Sequence, residues 1–194
     1  MTASDGAGDS RESAAQQQSL LDSLEEMIDS GESAREVVAA AADGLREVTG
    51  LNHVIVTVQE RGSLKVLHAS FDAGEREQIR EYAGIELDGM ALSRSAAMML
   101  RHLAPAGPVL QICGTEDVAA LMRALPTRRR VANLAADAVR TQGISSACAV
   151  PLSRNGEVFG AILASAYSQE ALSEDDVSLI EEIATLVASV LASD

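Results

Sequence analysis

At 194 residues, with 47% hydrophobic residues, the chain suits one domain with a single core plus an appendage, since globular domains commonly run to ~100–200 residues. With two Phe, two Tyr and no Trp, aliphatic side chains and alanine must fill that core. The net charge of −14 opposes nucleic acid and anionic membrane as partners, because phosphate binding needs clustered Lys and Arg.

Residues 1–13 are rich in Gly, Ser and Asp without periodicity, which predicts a disordered tail. Between Ala14 and Asp29 the residues Leu20, Leu21, Leu24, Met27 and Ile28 fall on one helical face, and Gly31 interrupts the pattern. A terminal helix over 14–30 is expected, followed by one domain over 31–194. Ser33-Ala-Arg-Glu36 has capping-box spacing, Val38, Ala41, Leu45 and Val48 make an apolar seam, and Gly50 stands where a left-handed cap belongs. The β-branched run His53–Gln59, the Arg61-Gly62 pair and the run Leu64–Ala69 predict an antiparallel hairpin.

From Asp72 to Leu103 two short helices are expected, EREQIREYAG and SRSAAMMLRHL, on either side of an Asp88-Gly89 turn. A short strand over Val109–Cys113 follows, then helices over Glu116–Leu125 and Arg130–Thr141 separated by Pro126. The only basic cluster, Thr127-Arg128-Arg129-Arg130, reads as a solvated helix start or a local anion site. SACAVPLS and EVFGAILASA are joined by Asn155-Gly156, a dipeptide that favours a type I′ hairpin. Pro151 suits an irregular ladder position, and Gly160 allows another backbone or helix to approach closely. Ser173-Glu-Asp-Asp176 caps a closing helix that runs to about Ala192. This order predicts an α+β domain with helices on both faces of an antiparallel sheet.

Gly143–Leu152, Asn155–Gly160 and Leu172–Asp176 leading into LIEEIATLVASVLA resemble the C-terminal half of a GAF domain, and SAREVVAAAADGLREVTGLNHVIVTV resembles its opening helix and first strand. The resemblance spans about residues 33–192. It implies a GAF-like (profilin/PAS-like) sheet of about five to six strands and a small-molecule-binding regulatory role, paired with an output domain or partner such as a kinase or transcription regulator. Phe71-Asp72 is only a fragment of the Asn-Lys-Phe-Asp-Glu signature of cyclic-nucleotide relatives. Cys113 is followed by Gly114, where bilin-attaching relatives often show Cys-His.

No HExxH, GxSxG, P-loop, GxGxxG or CxxC is present, so no enzyme is expected. Nor is a metal site, since His53, His68 and His102 each lack a second ligand at local spacing. Candidate pocket residues are His68, Met90, Arg94, Met98, His102, Cys113 and Cys148; the methionines suit an adaptable apolar pocket. No resident cofactor is expected, with haem through His68 or His102 as the variant reading, a redox role for Cys113 and Cys148 as an alternative, and a ligand-free dimerisation module as a second. The closing helix carries two apolar seams. A homodimer is therefore expected through Leu20, Leu24, Met27, Ile28, Ile180, Ile183, Val187 and Val190. No apolar run nears the ~18 residues of a membrane span and Met1–Gln18 lacks a basic-then-apolar leader, so a cytoplasmic address is expected.

Overall fold

A computed structural model of the chain describes residues 6–84, 86–91, 110–124, 129–168 and 172–192. Helix α1 (Gly6–Asp29) and helix α2 (Ala34–Thr49) precede the hairpin of β1 (His53–Glu60) and β2 (Ser63–Ser70). Helix α3 (Ala73–Ala83), strand β3 (Leu110–Cys113), helix α4 (Thr115–Ala124) and helix α5 (Arg129–Gln142) form the middle. A second hairpin, β4 (Ser146–Arg154) and β5 (Glu157–Ala166), leads to the closing helix α6 (Glu174–Leu191).

Local chemistry sets many of these boundaries. Ser33 Oγ accepts from the Glu36 N–H at 3.3 Å and the Glu36 carboxylate accepts from the Ser33 N–H at 3.0 Å, a reciprocal cap in which the Ser33 side chain alone is worth about 1 kcal/mol. Ser173 and Asp176 repeat the arrangement at the start of α6. Gly50 ends α2 at φ +67, a left-handed cap that only glycine adopts without steric cost. Asn155 and Gly156 have φ of +53 and +80, the two positive values that a type I′ turn requires.

The five strands form one antiparallel sheet in the order β2-β1-β5-β4-β3, within the five to six expected. Cross-strand partners share a face, so the register sorts the strand residues into two sets. Val54, Val56, Cys148, Val150, Ile162 and Ala164 point towards α1, α2 and α6 and make the main core with Val37, Val38, Leu45, Ile180 and Ile183. His53, Ile55, Ala147, Ala149, Leu163 and Ser165 alternate with them and occupy the opposite face. At the β3–β4 end of that face Val118, Ala119, Ala136, Val139 and Ile144, from and just after α4 and α5, form a second cluster with Ile112, Ala147 and Tyr167. Helices thus cover both faces. Among the described residues the β3 ladder runs to the Leu110–Ala149 pair and Pro151 pairs with Ala161 of β5.

Two expectations are corrected. Helix α1 begins at Gly6, not Ala14, so part of the stretch expected to be disordered is helical. Once the turns around Leu20–Ile28 are packed, each added residue needs only one more hydrogen bond to extend the helix. Residues 1–5 and the helix expected over Ser93–Leu103 lie outside the described residues.

The second correction concerns the interface candidates. Leu24 is 1% exposed, and Ile180, Ile183 and Val187 are fully buried; all four belong to the core of a single chain and cannot face a second copy. Leu20, Met27, Ile28 and Val190 are half-buried against the same core. The physical reason is that α1 lies on α2 and α6, where Gly44 admits the Leu20 side chain. The first helix therefore has a place within the monomer for its leucines.

Candidate functional site

The sheet face turned away from α1, α2 and α6 carries small and aliphatic side chains along its middle, with half-buried Ile55, Ala149, Pro151 and Leu163. At one end of it His53, the first residue of β1, is 4% exposed and holds a polar cluster together. Its Nδ1 lies 2.9 Å from Ser165 Oγ on the adjacent strand β5. Its Nε2 lies 3.2 Å from Glu75 Oε2 and 3.3 Å from the Tyr167 hydroxyl. The Phe71 ring centroid is 4.6 Å from the imidazole, and Tyr167 meets it edge-on at 5.4 Å.

Backbone signals place each member. Asp72 caps α3 by accepting from the Gly74 N–H at 2.8 Å, which sets Glu75 in the first turn of that helix. Asn52 accepts from the Tyr167 N–H at 2.9 Å and donates its own N–H to the Ser165 carbonyl at 3.1 Å. The end of β5 is thereby tied to the entry of β1.

Burial pushes the His53 imidazole below its ordinary value, opposed by the Glu75 carboxylate and reinforced by the Arg46 guanidinium on α2. A histidine with a lowered folded value takes up a proton more readily when unfolded, so its contribution to stability is present above the ordinary value of about 6.5 and is lost as pH falls through the folded value. His53→Gln is accordingly expected to flatten the loss of stability between neutral and mildly acid pH. Urea titrations of both proteins across that window check it, and parallel pH profiles would contradict it.

Of the residues expected to line a pocket, the described ones do not converge on this cluster. His68 pairs in register with Val56, so it faces α2, where Nε2 is 3.2 Å from Asp43 and Nδ1 is 3.9 Å from Asp88. Asp88 also lies 2.5 Å from Arg76 and accepts from the Ala69 N–H at 3.0 Å. Met90 is half-buried at the sheet edge, where its carbonyl accepts from the Val66 N–H at 2.9 Å. Arg94, Met98 and His102 lie outside the described residues.

The cysteines also sit on the face of the sheet turned towards α1, α2 and α6. Cys113 opposes Ser146 in the β3–β4 ladder, and Ser146 and Cys148 are on the same face by alternation. Cys113 is exposed and Cys148 buried. Burial pushes the Cys148 thiol up to about 12, which keeps it protonated and unreactive at neutral pH. This argues against the redox alternative and removes both cysteines from the face that carries His53. A surface groove of about 390 Å3 between α1 and α6, lined in part by Gln17, Leu21, Asp175 and Glu182, lies on the α1–α2–α6 side as well. Among the described residues no group of three His, Cys, Asp or Glu side chains is placed to hold a metal ion, and no helix is long and apolar enough to cross a membrane.

Sequence reasoning weighed His53 as a metal ligand, set it aside as a strand residue, and missed Glu75, Ser165 and Tyr167 altogether. Glu75 is 22 residues from His53 and Ser165 is 112 away, so no local spacing could have announced the cluster.

A family model described as GAF domain matches residues 31–192. Comparison with curated proteins gave no match. Among solved structures, the chain is similar to the phycocyanobilin-bound GAF domain from a cyanobacterial phytochrome, with a TM-score of 0.66 and 18% identity over 91% of this chain and 94% of that one. It is also similar to the GAF domain from an Acinetobacter phosphoenolpyruvate-protein phosphotransferase, with a TM-score of 0.63 and 12% identity over 91% and 93% of the two chains. The photosensory core module of a Stigmatella aurantiaca phytochrome matches 99% of this chain at a TM-score of 0.68 and 14% identity, but only 38% of its own length is covered. At these identities the likeness establishes the fold.

Proposed function

Because the chain belongs to the GAF family, we propose that it is a sensory or regulatory module that binds a small molecule on the sheet face turned away from α1, α2 and α6. One observation carries this reading. A run of half-buried aliphatic side chains ends at a buried, hydrogen-bonded polar cluster, the combination of apolar wall and few oriented polar groups that ligand sites use. The cyanobacterial neighbour binds phycocyanobilin, which supports a binding role for this architecture. Covalent capture of a bilin by Cys113 or Cys148 is disfavoured, since both cysteines sit on the other face. The ligand in this reading is held without a thioether.

The module binds and signals in this reading, and has no turnover of its own. Helix α6 packs on β4, β5 and α2, and α1 packs on α2 and α6. A ligand that shifts the sheet has a contiguous packed route to the terminal helices and from there to an output partner, for which a kinase or transcription regulator is the class expected. A homodimer would have to use what the monomer leaves half-exposed, such as Leu186 and Val190, because the more central apolar residues of α1 and α6 are already buried.

The test is retention. Purified protein, denatured and extracted, is expected to release one small organic compound per chain, and Ala149→Trp, which fills the middle of the face, is expected to release none. Repeated blanks from wild-type protein, together with no thermal shift from a metabolite panel, would favour the ligand-free dimerisation module.

A further inference from the structure

The His53 cluster has an order that ligand binding does not require. Glu75, His53 and Ser165 form a chain of carboxylate, imidazole and hydroxyl, with contacts of 3.2 Å at Nε2 and 2.9 Å at Nδ1. A carboxylate only accepts, so the Nε2 beside it carries the ring proton, and the Nδ1 lone pair is left for the Ser165 O–H. Phe71 and Tyr167 against the ring fix its orientation. A nucleophile within reach of a base, with the base oriented by a third group, is the arrangement that activates a serine.

We propose that Ser165 is an activated nucleophile, primed by His53 and Glu75 to accept an acyl group from an activated carboxylic ester or thioester. Its surroundings suit the role. In the ladders Ser165 stands between His53 on one side and Ala147, which packs into the cluster of α4 and α5, on the other. Ser165 is half-buried while His53 is 4% exposed, so the serine is the more accessible of the two and the base is shielded. Burial favours the neutral imidazole, the form that can take a proton.

In the reaction the Ser165 Oγ–H proton passes to His53 Nδ1 as Oγ bonds to the carbonyl carbon. The bond from that carbon to the leaving oxygen or sulfur then breaks, and the departing alcohol or thiol takes the proton from Nδ1. A Ser165 ester and a neutral imidazole remain.

Strand β5 is paired on both sides at Ser165, which commits its backbone N–H groups to the ladders and leaves no pair of them on this strand to stabilise an oxyanion. A good leaving group makes up for this during acylation, but water attacking the resulting ester has no such help. The adduct therefore accumulates. The chain acts as a stoichiometric acyl acceptor, an inference that goes beyond reversible binding and does not depend on it.

Reaction of the full chain with p-nitrophenyl acetate, followed by peptide mass spectrometry, tests this. An acetyl adduct on Ser165 is expected, approaching one per chain and forming roughly 100-fold faster than in His53→Gln, the lower range for general-base assistance. Glu75→Gln is expected to slow it as well, and the wild-type rate is expected to fall in acid as His53 gains a proton. Ser165→Ala should keep its fold and lose the adduct. If His53→Gln does not fold, the rate in Glu75→Gln decides. An unlabelled Ser165 in wild-type protein, or equal labelling rates in the folded His53 or Glu75 variants, would overturn the proposal.

Discussion

Leu24→Ala is expected to cost about 2–5 kcal/mol of unfolding free energy, the range for a buried leucine truncated in a core that only partly collapses. Leu24 is 1% exposed and packs in the cluster shared by α2, α6 and the sheet. The size of the loss identifies it as core, and its dependence on concentration tells which core. A residue buried within one chain loses the same free energy at every protein concentration, whereas stability drawn from a dimer interface rises with concentration. Chemical denaturation of wild type and variant over a wide concentration range is expected to give a constant difference. A difference that shrinks with dilution would return Leu24 to an interface between copies.

Gly160→Ala is expected to destabilise by about 1–3 kcal/mol, the usual cost of inserting a methyl into a packed interior. A Cβ at this position would run into the carbonyl oxygen of Thr57 and lie 3.1 Å from Leu152 Cδ1. Thr57 sits in β1, and the ladder to β5 holds its backbone, so the obstacle cannot rotate away. Gly44 is the useful contrast. Its added Cβ would meet only the tip of the Leu20 side chain, which can change rotamer, while alanine gains about 1 kcal/mol of helix propensity over glycine. Thermal or urea melts of both variants are expected to show a clear loss for Gly160→Ala and a much smaller change for Gly44→Ala. Similar effects from the two would mean that the β1–β5 contact gives way more easily than a paired backbone should.

The caps, turns and hairpins were legible because each is set by residues a few positions apart. Ser33 with Glu36, Gly50, Asn155-Gly156 and Ser173 with Asp176 each satisfy a local backbone need, and each lies where its chemistry predicts. The close approach at Gly160 was legible in kind, since a glycine inside a strand pattern signals a near neighbour. Its partner, the Thr57 carbonyl, was not. The same limit explains the cysteines. Alternation shows that Cys148 lies on one face of its strand, but which face meets the helices depends on how the sheet packs.

The sequence by itself determined most elements among the described residues, their order, the α+β class and the family. Tertiary structure decided that α1 is spent on its own domain, that the cysteines and His68 face the helices, and that His53 meets Glu75, Ser165 and Tyr167. The physical reason is range. Hydrogen bonds and side-chain periodicity within an element are fixed by neighbours along the chain. The placement of β1 beside β5, by contrast, joins residues more than a hundred positions apart, and only the packing of the whole sheet specifies it.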